Sequence, residues 1–240
     1  MPRSVLIDGR RRSVVTLPEY RLGMKPANFG RRYPAEVLTR REVEALLAAC
    51  SRRGSAGIRN CALIALLYRT GLRISEALAL LPKDVDLAAG TVQVLHGKGD
   101  RRRVVGLDPG AGAILELWLS RRRELHIGPT RPVFCVISAP SKGRALRAAY
   151  VREALKDLAR KAGIEGKRVH PHGLRHTHAA ELAREGVPLH IIRRQLGHAD
   201  LRTTQRYIDH LEPLEVVRVM QARTWPTHAP APVSIEMPAA

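Results

Sequence analysis

A chain of 240 residues is long enough to bury a core without disulfides or metal, as one large domain or two small ones. Lys and Arg number 41 against 22 Asp and Glu, a formal net charge of +19, and 34 of the 41 are arginine; this excess favours a polyanionic partner, since the guanidinium fork binds phosphate bidentately where lysine offers a point charge. There is no run of 18 apolar residues, no secretory leader pattern, no Cys-x-x-Cys among Cys50, Cys61 and Cys135, and only nine aromatics, which excludes a membrane span, a disulfide frame, a structural zinc site and a stacking platform for single strands.

The expected setting is a reducing cytoplasm, with double-stranded DNA as the partner. A high-GC coding bias also raises Arg and Ala content, but it does not remove acids.

Residues 1–35 carry eight bases and two acids with no sustained period, and are expected to be a basic arm, solvated or DNA-contacting. Thr39-Arg40-Arg41-Glu42 forms a capping-box pattern ahead of Val43, Leu46 and Leu47. A second helix is expected over 58–69 with Ala62, Leu63, Leu66 and Leu67 inward, ended by Gly71, and a short one over 74–81 before Pro82. The period then changes. Residues 85–87, 91–96 and 101–107 read as three short strands, the last two joined by the turn Gly97-Lys98-Gly99-Asp100. Beyond them come a helix over 111–125 with Ile114, Leu115 and Trp118 inward, a strand over 133–137, and helices over 146–162, 173–184, 189–196, 201–210 and 214–223. The Pro-rich residues 224–240 are expected to be a disordered tail. The domain layout is thus an arm over 1–35, a main domain over 36–223 and the tail. The fold class is α+β, mainly helical, with a small antiparallel three-stranded sheet.

Neither a phosphate-binding P-loop nor His-Glu-x-x-His occurs, and acids are sparse around the basic clusters. Phosphodiester chemistry without a metal needs cations for the pentavalent phosphate, a proton donor for the leaving oxygen and a nucleophile. Arg73 stands at a helix start with Glu76 three residues on, and His172 and Arg175 repeat that spacing. His198 ends another helix, Tyr207 follows nine residues later, and Lys98 at the hairpin tip is a mobile ammonium.

The segments Thr-Gly-Leu-Arg-Ile-Ser-Glu-Ala-Leu (70–78), His-Gly-Lys-Gly (96–99), His-Gly-Leu-Arg-His (172–176), Leu-Gly-His (196–198) and Thr-Thr-Gln-Arg-Tyr (203–207) together resemble the tyrosine recombinase (phage integrase) family, in its Xer-like bacterial form. The resemblance runs from about Pro34 to His210 and implies the recombinase catalytic fold. It implies that Arg73 and Arg175 clamp the scissile phosphate, that His198 donates to it, and that His172 assists as acid and base. It further implies that Lys98 protonates the departing 5′ oxygen, that Glu76 supports the others from behind, and that Tyr207 attacks to leave a 3′-phosphotyrosyl enzyme. Neither ATP, metal nor other cofactor is then needed. Implied partners are double-stranded DNA, further copies of the chain in a tetrameric synapse, and a second recombinase or a DNA-bending accessory protein; no membrane is involved.

Against the family pattern, the stretch before the catalytic domain is short, with no full core-binding domain expected there. The alternative functions are a non-catalytic DNA-binding regulator that competes with a full-length integrase, and a type IB topoisomerase.

Among the remaining residues, Arg101, Arg102, Arg103, Arg144, Arg147 and Arg206 are expected at the DNA backbone. Tyr68 and Tyr150, set among apolar neighbours, are expected in the core, as is Cys61. The cluster His170, His172, His176 and His178 has no companion Cys or carboxylate, so no metal site is expected.

Overall fold

The computed structural model describes residues 37–95, 102–164 and 168–197, and the backbone of 6–7 and 10–11. In the N-terminal unit, Met1–Pro34, a two-stranded antiparallel pair joins β1 (Leu6–Ile7) to β2 (Arg10–Arg11), with Leu6 opposite Arg11 and Ile7 opposite Arg10. Two residues per strand are too few to register as an alternation in the sequence.

In the second unit, Ala35–Ala240, α1 spans Arg40–Ala48. Its start is the capping box expected from the sequence: Thr39 Oγ1 accepts from the Glu42 amide at 3.2 Å, and the Glu42 carboxylate accepts from the Thr39 amide at 2.8 Å. The second helix, α2 (Ser55–Thr70), is buried at every position from Ala62 to Tyr68. A helix apolar all round belongs in the middle of a domain, and α2 packs against both α4 (Pro109–Glu124) and α6 (Pro171–Arg184). Each of Leu63, Leu66 and Leu67, fully buried, contributes about 1.5–3 kcal/mol by leaving water.

Gly71 ends α2 in the left-handed conformation at φ 64°, and α3 (Ile74–Ala79) follows after two residues. A 3-10 turn over Pro82–Asp84 leads into the sheet, whose order is β3 (Val85–Asp86), β4 (Thr91–Val94), β5 (Arg103–Gly106), all antiparallel. Val92 pairs with Val105 and Val94 with Arg103, so Val92, Val94 and Val105 face the core. The chain continues through α4, α5 (Ala148–Lys161), α6 and α7 (Leu189–Leu196). A smaller apolar cluster of Ala179, Ile192 and Leu196 joins α6 to α7.

Three expectations need correction. Residues 133–137 form no strand; a lone bridge pairs Cys135 with Ala145. The segment satisfies its backbone by other means: the Val133 amide donates to the Leu80 carbonyl at 2.7 Å, and Trp118 Nε1 donates to the Val133 carbonyl at 2.9 Å. Tyr150 is 42% exposed, and its hydroxyl accepts from Arg59 at 2.6 Å and from Asn60 at 3.4 Å, so it is a polar partner at the surface rather than a core ring. Cys61 is half-buried on the flank of the core. The hairpin turn 97–100, the helices over 201–210 and 214–223 and the Pro-rich tail lie outside the described residues. Among the described residues, no helix is long and apolar enough to cross a membrane.

Candidate active site

Four segments far apart in sequence meet where α2 ends: the turn Gly71–Arg73 with α3, strand β5, the first half of α6, and the end of α7. Gly71 makes the junction possible. A Cβ there would stand 2.5 Å from Leu196 Cδ2 and 2.7 Å from His178 Cδ2, and its left-handed φ of 64° favours glycine.

Arg175 is the buried keystone, 2% exposed. Its guanidinium donates to the carbonyl of Gly71 and, at 2.8 Å, to that of Leu196. It thereby fixes the chain two residues before Arg73 and two residues before His198.

Arg73 caps α3 with extended backbone (φ −69°, ψ 148°), and its amide donates to Glu76 Oε2 at 2.8 Å. The same glutamate receives Arg73 Nη1 at 2.9 Å, and Arg73 Nη2 reaches the Gly197 carbonyl at 3.4 Å. Glu76, its side chain 2% exposed, is also gripped by both terminal nitrogens of Arg103, at 2.9 and 2.8 Å. Burial works to raise the Glu76 pKa, but hydrogen bonds from Arg103 and from the Arg73 amide, with the charge of Arg103, hold it below the usual carboxylate value. Arg103, expected on the DNA backbone with its neighbours, therefore turns inward.

On α6, His170 is the N-cap: its Nδ1 accepts from the Gly173 amide at 3.0 Å. His172, one residue into the helix, stays solvent-open, its ring edge-on to His176 at 4.1 Å between centroids. Its pKa is lowered by partial burial and then by the charges of Arg175, His170 and Arg73. His178 is buried, and burial followed by Arg69 and Arg175 pushes it down to about 4.

Two supports gave no signal in the sequence. Arg69 joins Asp108 at 2.9 Å to Glu181 at 3.5 Å, and Tyr68 donates to Glu181 at 2.5 Å, tying α2 to the start of α4 and to α6. Gln195 on α7 pairs with the backbone of Gly106 like a strand, accepting from its amide at 3.0 Å and donating to its carbonyl at 2.9 Å. A lone glutamine on an amphipathic helix looks solvated, so only the tertiary contact reveals it.

The structure thus brings Arg73, Glu76, His172 and Arg175 together, with the chain running toward position 198. Arg102, Arg144 and Arg147 are exposed, Arg147 as the residue before α5. Lys98, His198, Tyr207, Arg101 and Arg206 lie outside the described residues. An apolar groove of about 570 Å³ between α1, α2 and α4, lined by Leu47, Ile58, Cys61 and Leu117, carries none of these candidates.

Two guanidiniums, each oriented by anchored partners, beside an imidazole whose pKa is lowered, make a positively charged cluster suited to an anion. Comparison with known proteins agrees. The phage integrase family matches residues 36–213. The tyrosine recombinase XerD of Neisseria meningitidis serogroup B is 35% identical over 184 residues, covering 77% of this chain and 61% of that protein, so the chain spans about three fifths of that relative. Among solved structures, XerA recombinase matches at TM-score 0.67 with 28% identity, over 86% of this chain and 73% of that one. XerH site-specific recombinase, solved in a post-cleavage complex with a palindromic difH substrate, matches at TM-score 0.64 with 28% identity, over 79% of this chain and 54% of that one. Its fold is that of the tyrosine recombinase catalytic domain, and the chain belongs to the phage integrase family.

Proposed function

We propose that the protein is a site-specific DNA recombinase that cuts and rejoins double-stranded DNA through a 3′-phosphotyrosyl intermediate. The observation that carries this reading is the convergence of Arg73 and Arg175, one oriented by Glu76 and the other anchored to the Gly71 and Leu196 carbonyls. Two fixed cations on one face stabilise the pentavalent phosphate more than the ground state, because they need no reorganisation as charge develops.

In this scheme Tyr207 Oη attacks the scissile phosphorus and the 3′ phosphate becomes bonded to the enzyme. The P–O5′ bond breaks, and Lys98 gives its proton to the departing 5′ oxygen. His198 donates to a non-bridging oxygen. His172, neutral at pH 7, is suited to hold the tyrosyl proton in transit. Attack by a 5′-hydroxyl of the partner strand reverses these steps, so bond energy is conserved and no ATP is consumed. Arg101, Arg102, Arg144, Arg147 and Arg206 hold the DNA backbone. Strand exchange takes two duplexes and a homotetramer of the enzyme in the bacterial cytoplasm, with a second recombinase or a bending protein as further partners.

The test is strand exchange itself. The chain is mixed with a pool of nicked duplexes of randomised sequence, and covalently captured duplexes are recovered after denaturation. Intact copies are then examined for Holliday junctions in excess EDTA. Junctions that form undiminished are expected, since arginine, lysine and histidine supply the neutralisation that metals supply elsewhere. Activity lost to EDTA and restored by Mg²⁺ or Zn²⁺ would overturn the scheme. Nicking and relaxation of supercoils without junctions would favour a topoisomerase instead.

A further inference from the structure

Strand β5 does more than close the sheet. Its first residue, Arg103, sits between two parts of the site that are 121 residues apart in sequence, Glu76 and Gly197. Both terminal nitrogens of its guanidinium bind the Glu76 carboxylate, at 2.9 and 2.8 Å, and the side chain is only 11% exposed. The opposite contact is with Gly197, the left-handed residue (φ 66°) that ends α7. A Cβ on Gly197 would meet Arg103 Nε at 2.8 Å, and Cδ and Cζ at 2.9 Å, so the glycine α-carbon rests against the guanidinium.

We propose that Arg103 is a positioning residue of the reacting site, setting both the Glu76 carboxylate that orients Arg73 and the Gly197 turn that leads into His198. The inference rests on the recombinase reading above for what the site does. Charge explains why this position needs arginine. Glu76 faces Arg73 and Arg103 in a place that water barely reaches. With both present, one carboxylate meets two guanidiniums, and one positive charge is left over for a phosphate. Without Arg103, Glu76 would neutralise Arg73, and the clamp would lose a unit of charge and a fixed direction. Lysine does not replace the fork, because one ammonium cannot hold both carboxylate oxygens and also present a flat face to Gly197.

The second hold lies at the other end of the same strand. Gln195 binds both polar groups of Gly106 and also donates to the Thr70 carbonyl at 3.4 Å. Through these two side chains, β5 sets where the last turn of α7 stands relative to Arg73.

The experiment is single-turnover cleavage of a nicked duplex recovered by covalent capture, at saturating enzyme, for the unmodified chain, Arg103→Lys and Arg103→Gln, with DNA affinity measured alongside. Positioning acts on the transition state, so the rate of adduct formation is expected to fall about 100-fold in Arg103→Gln and about 10-fold in Arg103→Lys, with affinity within about threefold. The acid limb of the rate profile should also move to higher pH in Arg103→Gln, because Glu76 loses its main partner. A loss confined to affinity would overturn the proposal and return Arg103 to the DNA backbone. Unchanged rate and affinity would overturn it too, and if Arg103→Gln fails to fold, Arg103→Lys decides. Should the unmodified chain form no adduct on any duplex, the recombinase reading fails by itself. The Arg103 linkage is then judged from unfolding midpoints of Arg103→Lys, Glu76→Gln and the double variant, where non-additive effects are expected and additive ones refute it.

Discussion

With its side chain 2% exposed, Glu76 keeps its charge because two guanidiniums and a backbone amide face it. Removing the charge leaves Arg73 and Arg103 opposed without a mediator, so Glu76→Gln should destabilise the fold by about 3–5 kcal/mol, read from denaturant unfolding at pH 7. The sign of the pH dependence follows from its depressed pKa. The stabilisation is complete above the unfolded value near 4.5 and disappears as pH falls through the lower folded value, so the variant's deficit should shrink in acid. A deficit independent of pH would mean that shape, not charge, is what the glutamate supplies. Lys98 carries a different kind of prediction. A proton donor, the role proposed for it, acts mainly in the transition state, so Lys98→Ala should slow cleavage by about 10²–10⁴-fold with little change in binding. A substrate with sulfur at the bridging 5′ position has a better leaving group and should recover most of that loss. No recovery would reduce Lys98 to a backbone contact.

At the scale of elements, the meeting of α2, α6 and α7 is governed by Gly71 and His178. Gly71→Ala forces a Cβ toward Leu196 and His178 in a left-handed backbone. It should cost about 1–3 kcal/mol in thermal unfolding and slow adduct formation as well, since the Gly71 carbonyl anchors Arg175. His178 carries a buried Nε2 with no hydrogen-bond partner and a pKa pushed down to about 4, against an ordinary 6.5. A depressed folded value gives stability that is complete above about 6.5 and is lost as pH falls toward about 4, a swing of roughly 3 kcal/mol. His178→Leu should flatten that slope between pH 6.5 and 4; a slope that survives intact would place its origin in other groups.

The elements that were legible from sequence are those whose signals are local. Thr39 with Glu42, Gly71 and the α7 stretch 189–196 each announce themselves within a few residues, and the structure places α7 over those same residues. The 133–137 strand failed because an apolar run reads the same whether a ladder or scattered side chains satisfy its backbone. Arg103 was hidden in a charge run, and nothing in Arg101-Arg102-Arg103 distinguishes the member that turns inward. Its role, like those of Gln195 and Asp108, exists only in contacts between distant segments. The motif residues Arg73, Glu76, His172 and Arg175 could be read together because two pairs at the same spacing, each at a helix start, supply the charge that phosphodiester chemistry needs, and the resemblance then gave each a role.

For the whole molecule, a net charge of +19 favours long-range attraction to a polyanion, which in the proposed function is DNA. Affinity should fall steeply with salt, with a log–log slope of about −0.9 per phosphate neutralised, and neutralising Arg102, Arg144 or Arg147 should each lower that slope by about 1 if it meets a phosphate. These variants should leave the cleavage rate at saturating DNA near that of the unmodified chain. The central claim, however, is covalent. It is tested by recovering the adduct on a nicked duplex under denaturing conditions, digesting it, and locating the peptide that carries the 3′-phosphoryl nucleotide. The account predicts one linked peptide, bonded through Tyr207, and no adduct from Tyr207→Phe, which should still bind DNA with nearly unchanged affinity. A nucleotide linked to any other residue, or an adduct that persists in Tyr207→Phe, would contradict it.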